Sequence, residues 1–372
     1  MKVLVGLSGG VDSAVAAYIL KQQGYDVTCA FMRNWDAYTN NDIQGNPTIL
    51  DPQCPQEVDY EDARNVADKL GLELLRVDFV KEYWDDVFSV FLEETKKGRT
   101  PNPDILCNRH IKFDAFYQFA KSKGFTHLAT GHYARIIKED GRCYMAKAID
   151  RNKDQTYFLD QVADETLQNV LFPLGDLTKQ EVRALANELG LSVAAKKDST
   201  GICFIGERHF QAFMQNYLEK REGAIMDVNS NQILGKHAGV MYYTIGQRHG
   251  LGIGGSMGPW FVVGKDVTRN ILYVSTMAQK EWLLSDSVII SRINWFGDTR
   301  VDMDCQAKFR YRQQDNPVSI RWIDHDHLKV TCHPAVLSVT CGQEAVFYDG
   351  DRCLGGGVIE TTVAIIEDSF LL

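Results

Sequence analysis

Six consecutive residues near the start, Ser8-Gly9-Gly10-Val11-Asp12-Ser13, carry the strongest chemical signal in the sequence. Two adjacent glycines let backbone N–H groups approach an anion closely, and a helix starting behind them adds the positive end of its dipole. Ser8 and Ser13 supply hydroxyl donors, and Asp12 has the chemistry to hold a hydrated Mg2+ that screens phosphates. A tight strand-to-helix turn with ordinary Ser and Asp caps would use the same residue types. The hexapeptide follows the β-rich run Lys2–Leu7 directly, however, where open α/β sheets bind ligands at the carboxyl ends of their strands. Phosphate binding is the better account. The Gly-x-x-x-x-Gly-Lys-Ser/Thr pattern is absent, so the loop places no lysine to grip β- and γ-phosphates.

Two cysteines stand in unusual company. Cys107 follows Thr100-Pro-Asn102-Pro103-Asp104-Ile-Leu, with Arg99, Arg109, His110 and Lys112 close in sequence. Cys203 lies in Lys196-Lys197-Asp198-Ser199-Thr200-Gly201-Ile202-Cys203-Phe204, a glycine-containing stretch again preceded by cations. Positive surroundings favour the thiolate, which is the reactive form. Most cysteines in such a chain are inert and buried; the basic, loop-like context sets these two apart. Cys29 and Cys143, by contrast, sit in apolar, strand-like runs and read as small core residues.

The elements that must position these groups alternate strand and helix. Lys2–Leu7 reads as a strand, Asp12–Gln23 as a helix ended by Gly24, and Val27–Met32 as the next strand. Tyr60–Leu70 is helical, Leu74–Phe79 a strand, Lys112–Lys123 a helix and His127–Thr130 a strand. Asn34–Glu57, with Pro47, Pro52 and Pro55, reads as a long loop. Thr178 to Leu189 is a helix opened by a Thr178/Glu181 capping box. This pattern predicts an α/β fold: a doubly wound parallel sheet with helices on both faces. Beyond about Arg208, a glycine-rich middle (Gly223–Gly258) gives way to short alternating strands, predicting a small C-terminal β-barrel or sandwich. Gly250-Leu-Gly252-Ile-Gly-Gly255 matches a dinucleotide-binding pattern, but Ser-Met-Gly-Pro-Trp follows where a helix should begin, so it reads as a loop.

The chain has 372 residues, 40 of them Lys or Arg and 49 Asp or Glu, a net charge of −9. An acidic chain offers no global attraction to nucleic acid, so an RNA partner would need local basic patches. Arg310-Tyr311-Arg312, near Lys308, is one candidate: on a single strand Arg310 and Arg312 would share a face able to track phosphate. Nine irregularly spaced cysteines with no Cys-x-x-Cys indicate neither a disulfide framework nor a zinc ribbon. With no long apolar stretch and no signal-peptide pattern at the start, a cytoplasmic protein without a membrane partner is expected.

The opening loop resembles that of the ATP pyrophosphatase superfamily, whose members cleave ATP to AMP and pyrophosphate and leave AMP on the substrate. The resemblance narrows with Asn102-Pro-Asp104 before Cys107, Thr130-Gly131-His132-Tyr133-Ala134, Lys153-Asp154-Gln155, Phe172-Pro-Leu-Gly175, Thr200-Gly-Ile-Cys203-Phe and Tyr243-Thr-Ile-Gly-Gln-Arg248. In this order the motifs resemble those of the tRNA-specific 2-thiouridylase family. That resemblance implies ATP and Mg2+ as cofactors, tRNA as substrate, and a sulfur-relay protein or cysteine desulfurase as donor. It implies a chain that is monomeric when free.

The resemblance implies ATP contacts from Gly6, Leu7, Ser8, Gly9, Gly10, Val11, Asp12 and Ser13, with Met32 and Gly131 touching adenine or ribose. It implies that Cys203 carries sulfur as a persulfide, that Cys107 acts as the nucleophile, and that Asp104 handles a proton. Asn102, Pro103 and Asp104 would meet the target base; His132, Lys153, Asp154, Gln155, Tyr311, Arg312 and Gln343 would meet the tRNA. The implied organisation is a catalytic domain over 1–208, a tRNA-binding adaptor over 209–276 and a β-barrel over 277–372. Two other readings use the same loop: a different adenylating ATP pyrophosphatase, such as a lysidine synthetase or an amidotransferase-coupled synthetase, and a nucleotide-sensing module with an attached β domain. Neither needs the paired cysteines.

Overall fold

Lys2–Gly6 forms strand β1, whose Val3, Leu4 and Val5 are wholly buried. A computed structural model of the chain describes all residues except 45, 48, 50–54, 140, 199–204, 206–209, 255–257, 298–299 and 365–372. β1 lies between β2 (Asp26–Arg33) and β4 (His127–Ala129); β3 (Glu73–Asp78) and β7 (Val170–Leu171) complete a parallel sheet ordered β3-β2-β1-β4-β7. Apolar residues dominate the inner strands β1 and β2, which are covered on both faces, whereas the edge strand β3 exposes Glu73, Arg76 and Asp78. Strand order reverses between β1 and β4, the place where such sheets bind ligands.

On one face, helix α1 (Val11–Gln22) packs Ala14–Ala17 against Val3, Val5 and Leu7. Helix α2 (Pro55–Leu70) adds Ala63, Val66 and Ala67, and the helix Lys179–Glu188 adds Val182 and Ala186. Small alanines bring α1 close to the sheet, so the loop before it is held at the strand ends. Gly6 faces the other way, where a Cβ would lie 3.4 Å from Phe116 and 3.6 Å from Met32. The capping box expected at Thr178 and Glu181 is present.

Two local expectations change, and two hairpins were not expected. The helix expected over Lys112–Lys123 begins earlier and in pieces: an α-turn at Pro103–Cys107, a π-helical stretch Asn108–Ala115, then α-helix Phe116–Ser122. Pro103 suits a first helical position, where no N–H partner is needed. Pro55 likewise starts α2 instead of extending the loop after Asn34. Two hairpins lacked a clean alternation in sequence: β5 (Ala134–Glu139) with β6 (Arg142–Lys147), and β8 (Gly223–Asp227) with β9 (Ile233–His237).

The chain divides into two units, the first comprising residues 1–88, 103–209 and 351–354. Within the first, the β5–β6 hairpin is held by Asp351, which accepts from Arg135 at 2.9 Å and from Arg151 at 2.5 Å. In the second, β8 and β9 join β10 (Trp260–Asp266) and β11 (Ile271–Thr276) in a sheet ordered β10-β11-β8-β9. Also there, β12 (Leu284–Trp295), β13 (Met303–Lys308), β14 (Asn316–Trp322), β15 (Leu328–Leu337), β16 (Glu344–Asp349) and β17 (Arg352–Ala364) close into a six-stranded barrel. The ring runs β12-β15-β14-β13-β16-β17 and returns through β12–β17 pairing, which removes open edges. The fold class expected from sequence is the one observed. Among the described residues, no helix is long and apolar enough to cross a membrane.

Candidate functional site

The residues from Gly6 to Ser13 form a tight crossing from β1 into α1. Gly9 has φ +74°, and a Cβ there would meet the Asp59 carbonyl oxygen at 2.2 Å, so only glycine fits. The Ser13 hydroxyl folds the turn on itself, accepting from the Ser8 N–H at 3.1 Å and donating to the Gly10 carbonyl at 3.1 Å. Gly131, following β4, lies against this turn: a Cβ would approach the Ser13 nitrogen to 2.7 Å. Met32 reaches Gly6 from β2. The structure thus brings together the loop, Met32 and Gly131 at the carboxyl ends of adjacent strands.

Asp12 is the most heavily engaged member. The Tyr133 hydroxyl donates to its Oδ1 at 2.9 Å, and the Lys179 ammonium donates to both oxygens at 2.7 and 2.8 Å. Burial, then the Asp12 charge, pushes the Tyr133 hydroxyl far above its ordinary pKa, so it stays a donor. Lys179 also pairs with Asp198 at 2.8 Å, and Asp198 accepts from Lys153 at 2.5 Å and Arg183 at 2.8 Å. Burial pushes the Asp198 carboxyl up, but the Lys153 and Lys179 hydrogen bonds outweigh it and bring its pKa to about 2. Lys196 ties the other end of the loop, donating to the Gly9 carbonyl at 2.9 Å, to Asp59 at 2.8 Å and to Asp62 at 2.6 Å.

Tyr133, Lys179 and Lys196 were not singled out for the phosphate loop from sequence. One signal was readable for Lys179. A lysine at the first position of a capped helix opposes the helix dipole, and such a placement asks for a nearby anion.

Asp104 and Cys107 occupy one α-turn, three residues apart and therefore on one side of it. Asp104 is half-buried, whereas Cys107 is fully buried, at the junction of α- and π-helix. This corrects the loop-like setting expected for that thiol. The expected positive surroundings are also partly spent. Arg109 donates to Gln161 at 3.0 Å, and burial, then Arg109, pushes His110 below its ordinary pKa. Arg99 pairs with Glu94 at 3.3 Å. The π-helical stretch leads to Phe113, which packs 5.8 Å from the His132 ring, and to Phe116 beside Gly6. The polypeptide carrying Cys107 is thus continuous with the one that packs beside Gly6 at the end of β1. Cys203 lies outside the described residues. Cys29 is buried as expected, its thiol pushed up to about 12 by burial, but Cys143 is only half-buried.

The residues expected to meet RNA separate into two groups. His132 is buried, shares a 2.8 Å hydrogen bond with Thr130, and is held well below its ordinary pKa by burial and then Lys112. Asp154 is buried and accepts from the Ala148 N–H at 3.0 Å and the Thr156 hydroxyl at 2.9 Å. The Gln155 side chain accepts from the Tyr133 N–H at 2.9 Å. Of this trio Lys153 reaches the Asp198 cluster. In the second unit, Gln343 donates to the Thr100 carbonyl at 2.6 Å, two residues before Asn102. Arg310 and Arg312 do not share a strand: β13 ends at Lys308, and a turn follows in which Arg312 has φ +64°. Arg310 donates to the Ser338 carbonyl, and the Arg312 guanidinium lies 5.4 Å from the Tyr311 ring centre.

An ATP-dependent reaction at such a loop would use Mg2+. Among the described residues, no cluster of three or more His, Cys, Asp or Glu is arranged to hold a metal. A Mg2+ held by phosphate oxygens, water and one carboxylate still fits, with Asp12 as that carboxylate once Lys179 releases it.

Three family models match successive parts of the chain: a tRNA methyl transferase HUP domain over 1–207, a tRNA methyl transferase PRC-barrel domain over 211–276 and an aminomethyltransferase beta-barrel domain over 285–359. The tRNA-specific 2-thiouridylase MnmA of Mycoplasma capricolum subsp. capricolum is 54% identical over 97% of this chain and 99% of its own. Those of Acholeplasma laidlawii and Bacillus cytotoxicus are 53% and 49% identical, each over 96% of this chain, and over 96% and 94% of their own lengths. Among solved structures, a 4-thiouridine synthetase–RNA complex with bound ATP aligns over 58% of this chain and 50% of that one, at 15% identity and a TM-score of 0.32. That score is too low to argue a shared fold. Near-complete coverage at about half identity, with a glycine loop, a parallel sheet and a closing barrel in the expected order, places this chain in the tRNA-specific 2-thiouridylase family.

Proposed function

We propose that the chain exchanges the C2 oxygen of the wobble uridine of tRNA for sulfur, using ATP. The observation that carries this reading is the Ser8–Ser13 loop at the carboxyl end of β1, where Gly6 lies beside Phe116 of the helical segment that continues from Asp104 and Cys107. A carbonyl oxygen is a poor leaving group. Its attack on the α-phosphorus of ATP releases pyrophosphate and leaves the oxygen bonded to AMP, which then departs as sulfur bonds to C2. Backbone N–H groups of Gly9 and Gly10 and the start of α1 would stabilise the charge on the phosphates. Mg2+, when bound, would neutralise phosphate charge. Met32 and Gly131 would border the nucleoside.

Cys203 would carry sulfur as a persulfide supplied by a sulfur-relay protein or cysteine desulfurase. Cys107 would attack that persulfide, freeing sulfide or passing sulfur directly to C2 as a Cys107–Cys203 disulfide closes; a thiol reductant then restores both. Asp104, one helical turn before Cys107, would meet the splayed base with Asn102 and Pro103 and move its proton. His132, Lys153, Asp154, Gln155, Tyr311, Arg312 and Gln343 would border the tRNA. The buried positions of His132 and Asp154 suit shaping of that surface better than direct contact. Residues 1–208 would carry the chemistry, 209–276 the adaptor and 277–372 the barrel. A cytoplasmic, monomeric chain fits this role.

The test is mass analysis of tRNA nucleosides after incubation with ATP, Mg2+ and a sulfur source. One 2-thiouridine per tRNA, made only with ATP, is expected. Pyrophosphate release with an amine added in place of sulfur would move the chain to another adenylating class.

A further inference from the structure

A loop that binds a triphosphate without a lysine of its own must find positive charge elsewhere. We propose that Lys179 supplies it: this side chain grips the β- and γ-phosphates of ATP, and Asp12 holds it in waiting while the loop is empty. The proposal rests on the reading of Ser8–Ser13 as the ATP loop and assigns it a further ligand.

Three observations carry it. First, the ammonium stands 2.7 and 2.8 Å from the two oxygens of Asp12, the second residue of α1, so it already lies at the helix start that would face the phosphates. Second, its base is fixed. The Lys179 N–H donates to Asp150 at 2.9 Å, and the Thr178/Glu181 capping box sets the helix that carries it. Only the side chain needs to swing.

Third, the ammonium can leave without stranding either carboxylate. Asp198 keeps Lys153 and Arg183, and Asp12 keeps the Tyr133 hydroxyl. Lys153, Lys179 and Arg183 stand against Asp12, Asp198 and Asp150, so the cluster is formally neutral and sets no net repulsion against an arriving anion. The lysine that nucleotide-binding loops otherwise carry within their own sequence would here come from a helix 167 residues along the chain.

The experiment is equilibrium binding of ATP, ADP, AMP and inorganic pyrophosphate to the full-length protein, its Lys179→Ala and Lys179→Gln variants, and Lys179→Arg. If Lys179 grips the terminal phosphates, both neutral variants lose at least tenfold in affinity for ATP and pyrophosphate and less than twofold for AMP, with partial recovery in Lys179→Arg. Thermal melting identifies any variant that has unfolded; Lys179→Gln keeps a hydrogen-bonding group against Asp12 and serves if Lys179→Ala does not fold. An equal loss for all four ligands, or no loss for any, overturns the assignment. A wild-type protein that binds none of them instead sinks the ATP-loop reading itself, and the proposal with it.

Discussion

Lys153 donates to Asp198 at 2.5 Å, although Lys153 stands in a motif expected to face RNA. Asp198 therefore titrates as part of a cationic cluster, with a pKa of about 2. Its folded pKa lies below the ordinary carboxylate value, so the stability it contributes is present above about pH 4 and is lost as pH falls towards 2. At a site one-third exposed, screening reduces that contribution to about 1 kcal/mol. Asp198→Asn should be less stable than the wild type at neutral pH, and the gap should close on acidification. Urea midpoints measured from pH 7 down to pH 3 check this; a gap that widens in acid would refute it.

Asp12→Ala and Ser13→Ala should each lower pyrophosphate release at least a hundredfold, about 2.7 kcal/mol of lost transition-state stabilisation. Asp12 organises Lys179 and Tyr133, and Ser13 closes the turn through Ser8 and Gly10. A coupled pyrophosphate assay beside a thermal melt gives the answer. Wild-type rates in Asp12→Ala would remove the loop from the chemistry.

The two cysteines should separate by mass. Donor treatment should add one sulfur to Cys203 even when Cys107 is serine, because loading needs only a thiolate and access. Cys107→Ser should therefore accumulate persulfide without modifying uridine, and Cys203→Ser should do neither. Sulfur found stably on Cys107, with Cys203 unlabelled, would reverse the roles.

Arg310 and Arg312 should part company in their effects. Arg310 holds the Ser338 carbonyl, so Arg310→Ala should cost about 1 kcal/mol of stability. Arg312, exposed on its turn, should leave the melting temperature unchanged. Its replacement by alanine should weaken tRNA binding several-fold and flatten the salt dependence by roughly one unit of slope. Filter binding across a salt series tests the contrast, and identical tRNA curves for wild type and Arg312→Ala would exclude the contact.

The tight crossing from β1 into α1, proposed above to bind phosphate, was legible in sequence because Gly9, Gly10 and Ser13 are contiguous and shape it through neighbouring backbone. The parallel sheet was legible because its inner strands β1 and β2 are buried on both faces and read as apolar runs. Lys179 and Lys196 were not recognised as loop partners, since each acts across more than 160 residues and looks locally like a surface cation. The Arg310–Arg312 stretch misled because its alternation suits a strand, whereas Arg312 adopts a left-handed turn that alternation cannot reveal. Cys107 read as loop-like because its neighbours are polar and basic. Its own side chain faces inward, and composition carries no direction.

The π-helical stretch Asn108–Ala115 acts as a phase shifter between the two ends of its helix. Such a bulge amounts to one residue more than an α-helix would hold, and each α-helical residue turns the chain by about 100°. Phe116 seats one end on the sheet beside Gly6, so the inserted residue determines the bearing of Cys107 and Asp104 at the other. Drawn into an unbroken α-helix, the same residues would point the thiol and carboxylate about a quarter-turn away, whereas deleting one residue between 108 and 115 would leave a regular helix with both on their present bearing. For this segment, residue count matters as much as residue identity.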